Sequence, residues 1–303
     1  MLDKSIHADF LDLFYSDIKD EALENGNKLN VFTLKVVNNS FAYNELIDLL
    51  GDKLHHFALS RKEIQYLVEQ DKLRTLVDKS KAKLRQYVEK NQQGEGGELG
   101  ELLLYCLLEC HLNAPKILTK LEIKTSNQMY VNGADGVHLL QVSDKDYQLV
   151  FGESKLNADL QQGIYRAFES IAKLLADRKG KLEFEIDLIN SQLIKEACSD
   201  EAYTFLKKII MPSAQEDETN MDYSFGIFLG YNMHITDEER KKPNAEFREA
   251  LRTRIREEIV GKIDSINNQI KKQHFVGYSF YIYIIPFSDL AAKRVEIINK
   301  LSK

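Results

Sequence analysis

The sequence predicts an α/β protein, and three observations carry that prediction. Apolar residues at helical spacing alternate with short β-branched and aromatic runs along the chain, as when helices cover a sheet. The stretch Asn91-Gln92-Gln93-Gly94-Glu95-Gly96-Gly97 interrupts this alternation and reads as a flexible linker. Beyond it the order becomes helix, strand, strand, strand, helix, so an N-terminal α/β region over 1–90, suited to binding a partner, and a second region over 97–303 are expected. With 303 residues, 44% of them hydrophobic, there is ample chain to bury a core.

Residues 8–24 carry a weak helical pattern, with Phe10, Leu11, Phe14, Tyr15 and Ile18 on one face. Val31, Thr33, Val36 and Val37 mark a strand over 29–37, closed by the turn signal Asn38-Asn39-Ser40. A short helix over 43–50 and a strand near 55–59 are expected next. Ser60 and Glu63 form a capping-box pattern that opens a long helix. Ile64, Leu67, Leu73, Leu76 and Leu84 hold its period as far as Lys90. After the linker the pattern predicts a helix over 97–112, strands over 117–125, 136–142 and 147–155, and a helix over 158–178. Residues 183–210 read as mostly helical. Past Glu216-Asp217-Glu218 come a strand over 222–232, a helix over 245–272, a strand over 278–286 and a final helix. No internal repeat is visible.

The net charge of −6 argues against a protein that coats nucleic acid by bulk attraction. It leaves room for a nuclease, whose catalytic carboxylates add negative charge where cations bind, with DNA affinity that is local, metal-assisted or supplied by a partner. Cys106, Cys110 and Cys198 form no Cys-x-x-Cys pair and read as thiols of a cytoplasmic protein. The acidic N-terminus lacks the basic-then-apolar order of a signal peptide. No apolar run approaches the roughly 20 residues needed to span a bilayer, so no membrane contact is expected.

The richest chemistry lies in Gly133-Ala134-Asp135-Gly136 and in Glu153-Ser154-Lys155, which closes the apolar run Tyr147-Gln148-Leu149-Val150-Phe151-Gly152. Two residues apart on a strand, Glu153 and Lys155 point to the same side. Charges there are costly unless they pair or hold a metal. Phosphodiester hydrolysis needs an activated water, neutralised phosphate charge and help for the departing oxyanion. Asp135 and Glu153 are hard oxygen ligands suited to Mg²⁺ or Mn²⁺, with the Ser154 carbonyl as a third. Lys155 would orient the water or stabilise the transition state. Glu98 and Glu101 share a helix face flanked by Leu102 and Tyr105, which places at least one of them at the edge of the core; Glu101 is favoured as the further acid, with Glu98 close behind.

This order resembles the PD-(D/E)xK nuclease superfamily, whose core is a helix carrying Glu, three strands bearing Asp and Glu-x-Lys, and a helix. Glu98 or Glu101, Asp135, Glu153 and Lys155 match that motif residue by residue, with Ala134 where proline is usual. Within it, Gly97-Glu98-Leu99-Gly100-Glu101-Leu102-Leu103, Gly133-Ala134-Asp135-Gly136-Val137-His138 and Gly152-Glu153-Ser154-Lys155-Leu156 are similar to the HamA family. The resemblance implies a restriction-endonuclease-like core, with a mixed central sheet flanked by helices. It also implies metal-dependent DNA cleavage in the Hachiman anti-phage defence system and a helicase partner of the HamB type. The core recognises phosphate and not the 2′-hydroxyl, so it does not itself separate DNA from RNA. The rival from another class is a catalytically silent nuclease fold that binds and regulates a helicase or DNA.

Other residues read more plainly. His138, three residues after Asp135, would face the opposite side and reads as a packing histidine. Gln161 and Gln162 fit either a position near phosphate or an exposed first helical turn; Arg166 and Ser170 read first as a solvated face and second as a DNA contact. Lys79 with Lys83 and Lys81 with Arg85 make two basic stripes, read first as solvated and second as a DNA track. Residues 240–262 read as a charge-laced surface helix.

Overall fold

The computed structural model describes residues 2–90, 97–125, 133–176, 183–210 and 219–303; residues 91–96 of the expected linker and acidic residues 216–218 lie outside that set. A 3-10 turn over Ala8–Leu13 leads into β1 (Phe14–Ala22), β2 (Lys28–Leu34), β3 (Val36–Val37) and β4 (Ser40–Phe41). Helices α1 (Tyr43–Ala58), α2 (Arg61–Glu69), α3 (Leu73–Lys90) and α4 (Glu98–Cys110) follow. Next come β5 (Lys116–Thr119), α5 (Lys120–Thr125), β6 (Gly136–Gln141), β7 (Asp146–Asn157), α6 (Leu160–Ala176), α7 (Glu183–Glu196) and α8 (Asp200–Ile210). The chain ends with β8 (Asn220–Asn232), α9 (Asp237–Arg240), α10 (Asn244–Val260), α11 (Ile263–Lys272), β9 (Ser279–Phe287) and α12 (Leu290–Ser302).

Among the described residues, seven strands form one sheet in the order β1-β2-β9-β8-β7-β6-β5. Pairing is parallel from β7 through β8 and β9 to β2, and antiparallel at both ends, so the sheet is mixed. The parallel strands are apolar on both faces because helices cover both, as Phe225, Ile227, Phe228 and Leu229 of β8 illustrate. β2 belongs to the 1–90 stretch and pairs with β9 near the C-terminus. The chain on either side of residues 91–96 therefore builds a single sheet.

All of α4 is buried, which fits a helix that is hydrophobic all round. It lies close against the sheet because β7 and β8 offer it glycines. A Cβ at Gly226 would stand 2.8 Å from Leu108, and one at Gly152 would stand 3.1 Å from Leu104. At its first turn, Gly100 abuts Ser154 of β7. On the opposite face, Phe168 of α6 packs with Phe275 and Phe280. The sheet thus carries α4 and α6 on its two faces, one on each side of the Glu153–Lys155 segment.

Several expected elements come out differently. Residues 14–22 pair as an edge strand with β2 rather than continuing a helix; that pairing overrides a weak local pattern. The strand expected near 55–59 is the last turn of α1, whose buried Leu54, Phe57 and Ala58 form a helix face. The long helix over 60–90 breaks at Asp71, at φ 53°, into α2 and α3, and the helix over 245–272 divides into α10 and α11. The strand expected over 117–125 stops at Thr119, where Glu122 N–H donates to Thr119 Oγ1 (3.3 Å) and Thr119 N–H to Glu122 Oε2 (3.0 Å), opening α5. The Asn38-Asn39 turn has positive φ at both residues, the geometry of a tight hairpin.

Candidate active site

β6 ends one residue short of where it would cover Glu153. Gly136 pairs with Gly152, Asp135 N–H donates to Gly152 O (2.8 Å), and past that point β7 has β8 as its partner. The freed flank of β7 is where the expected residues meet.

Asp135 is the best-anchored acid of the group. Its Oδ2 accepts from Ser154 N–H and Ser154 Oγ, each at 2.8 Å, and its Oδ1 accepts from Lys120 Nζ at 2.8 Å. Lys120 N–H also donates to the Asp135 carbonyl at 3.1 Å. Lys155 Nζ forms an ion pair with Glu153 Oε1. Glu101 reaches the same group from α4: its Oε1 lies 3.9 Å from Lys120 Nζ, and Tyr87 of α3 points its hydroxyl at both carboxyl oxygens at 2.9 Å. Glu98 is buried one turn earlier, close enough to raise the pKa of Glu101.

The electrostatics follow from who donates to whom. Burial raises a carboxyl pKa, but Lys120 and the Ser154 N–H bring Asp135 below its ordinary value. Burial first, then the Asp135 charge, pushes Glu101 up to about 8. The same two causes lift Glu153 to about 7, against the pull of Lys155. Asp135 in turn raises Lys120, which stays charged. Three acids thus face two lysines, and two of the acids resist ionisation.

A cavity of 320 Å³ opens beside this group, lined by Lys120, Asp135, Glu153, Lys155, Ser170 and Lys173. A larger one of 860 Å³ lies between the N-terminal segment, α2 and α7–α8, where Arg61 and Glu196 are already bonded to each other. The smaller is the better candidate, because charged groups converge on it.

The structure therefore gathers Glu101, Asp135, Glu153, Ser154 and Lys155 into one place. The Ser154 contacts are made by its N–H and hydroxyl, whereas the sequence reading looked to its carbonyl. Lys120 and Tyr87 were missed. The Thr119–Glu122 capping box was a legible sign that a helix starts at Lys120; Tyr87 looks like any core tyrosine on a helical period.

Of the remaining candidates, Ser170 lines the cavity from α6 and the others lie elsewhere. His138 is fully packed, and its Nδ1 bonds the Ala114 carbonyl at 2.8 Å, so that nitrogen carries the proton. Gln161 bonds Ser265 of α11, and Arg166 is exposed. Lys79 and Lys83 pair with Glu63, and Arg85 donates to the Ser302 carbonyl at 2.7 Å, so the basic stripes brace neighbouring helices. The three cysteines are free thiols. Among the described residues, no group of three or more His, Cys, Asp or Glu side chains is drawn together to hold a metal, and no helix is long and apolar enough to cross a membrane.

No curated protein matches the chain in sequence. A family model described as HamA matches residues 8–301, a span that takes in the whole seven-stranded sheet and every residue of the acid–lysine group. The chain belongs to the HamA family, of the Hachiman anti-phage defence system.

Proposed function

We propose that the protein is a metal-dependent deoxyribonuclease with a PD-(D/E)xK core, acting with a helicase partner. The observation that carries this reading is the convergence of Asp135, Glu153, Lys120 and Lys155 on one cavity where β6 ends, with Glu101 joined to them through Lys120. Residues that act only as structural ties need not share a cavity edge; residues that handle a phosphate do.

The donor set suits a hard divalent cation such as Mg²⁺ or Mn²⁺. Asp135 and Glu153 present carboxylate oxygens, and a cation beside them would offset the burial and the Asp135 charge that raise the pKa of Glu101 and Glu153. Two carboxylates are enough, because Mg²⁺ keeps several of its waters and takes substrate phosphate as a further ligand. When bound, the ion supplies a more acidic water and neutralises phosphate charge. Asp135 and Glu153 would hold it, and the Ser154 donors keep the Asp135 carboxylate turned toward Lys120. Lys155 orients the attacking water or meets the charge that builds on phosphate. Lys120 offers a second cation to the same phosphate. Glu101, held by Tyr87, would support the ion as a further acid beside it.

Metal dependence provides the test. Plasmid, linear and single-stranded DNA are incubated with the purified chain, with and without the helicase and ATP, in Mg²⁺ and in EDTA. Cleavage in Mg²⁺ that EDTA abolishes is the expected result. Cleavage that persists in EDTA, or none with any substrate and partner, removes the proposal; the second outcome would leave a binding module in its place.

A further inference from the structure

Tyr87 lies on α3, in the stretch before residues 91–96, yet its side chain is 0% exposed and its hydroxyl ends at the Glu101 carboxyl group. A phenol has one proton, so at 2.9 Å from both carboxyl oxygens Tyr87 donates to one at a time and holds the group end-on. From Glu101 the contacts run on without a gap: Oε1 lies 3.9 Å from Lys120 Nζ, and Lys120 Nζ donates to Asp135 Oδ1.

The tyrosine is itself held in place. Lys124 Nζ sits 5.4 Å from the centre of its ring, and Lys90, at the end of α3, donates to the Lys124 carbonyl at 3.0 Å. Both lysine contacts go to α5, the helix that begins with Lys120. α3 therefore grips both α4, which carries Glu101, and α5, which brings Lys120 to the cavity. A glutamate side chain has several staggered rotamers open to it, and one fixed donor selects among them.

We propose that Tyr87 is a positioning residue of the candidate site, its hydroxyl fixing the Glu101 carboxyl group beside Lys120 and Asp135 for work on a divalent cation. The inference rests on the metal-site reading given above. It assigns to the stretch before residues 91–96 a direct part in shaping the site, through a group that touches neither metal nor substrate.

The test is a double-mutant cycle read by Mn²⁺ binding. Full-length wild type, Tyr87→Phe, Glu101→Gln and the double variant are titrated with Mn²⁺ by calorimetry, and each is unfolded thermally under circular dichroism. Tyr87→Phe keeps the ring, so a cooperative transition is expected, with Mn²⁺ affinity about tenfold weaker. In the Glu101→Gln background, removing the hydroxyl should change affinity by under about twofold, a coupling that general loosening of the fold would not produce. Unchanged affinity in Tyr87→Phe, or an equal loss in both backgrounds, overturns the inference and leaves the metal site standing. Wild type that takes up no Mn²⁺, or uptake that survives Asp135→Ala, overturns the metal-site reading, and this inference with it.

Discussion

A buried carboxyl group stays ionised only where donors outweigh the loss of water, and the three acids of the site differ in that respect. Asp135 has Lys120, the Ser154 N–H and the Ser154 hydroxyl, and its pKa falls; Glu101 and Glu153 have fewer donors beside the Asp135 charge, and theirs rise. At this scale Asp135, Glu153 and Lys155 were legible because alternation on a strand and a glycine-flanked turn place side chains without knowledge of the fold. Lys120 and Tyr87 were not, since each reaches the site through a long-range contact. His138 permits a separate test. Burial holds its pKa near 3 against an ordinary 6.5. Above 6.5 neither state binds the proton; between 6.5 and about 3 the unfolded chain takes up a proton that the native state refuses, so stability falls as pH falls. Between pH 7 and 5.5 the wild type should lose about 1 kcal/mol more than His138→Gln, measured by urea unfolding. Equal losses would show that the buried imidazole is not held neutral.

Elements place these residues by where they stop. β6 ends at Gly136, so Glu153–Lys155 lose a neighbour on one flank, and β5 yields to α5 at Thr119, so Lys120 turns into the gap. The apolar run of β7 and the helix over 97–112 were readable from periodicity. The ends of β5 and α1 were not, because short apolar runs serve helix and strand equally well. β1 escaped for another reason: its partner, β2, supplies the ladder that its own sequence does not advertise. The close seating of α4 depends on small residues beneath it. Gly226→Ala should push against Leu108 and cost roughly 1–3 kcal/mol of stability, seen as a lower midpoint in thermal unfolding. A variant as stable as the wild type would mean that Leu108 has room to move, and that the glycine is not what lets α4 approach.

At the scale of the whole molecule, the stretch before residues 91–96 is built into the same sheet as the rest. β2 lies inside the sheet between β1 and β9, and Leu29, Val31 and Phe32 are buried there. A chain of residues 97–303 alone would expose the β9 edge and lose Tyr87, so it should show no cooperative unfolding transition; a sharp transition would mean that the later stretch folds by itself. The composition of the linker suggested a boundary, but composition reports local flexibility and says nothing of which strands pair across it. The net charge of −6 argues against bulk attraction for nucleic acid. The most direct measurement compares wild type with a Glu153→Ala, Lys155→Ala double variant in DNA cleavage, with Mg²⁺, the helicase and ATP present. The double variant should fold and cleave at least about a hundredfold more slowly, having lost the proposed metal ligand and the proposed water-orienting lysine together. Cleavage by the double variant at the wild-type rate would contradict the proposed site.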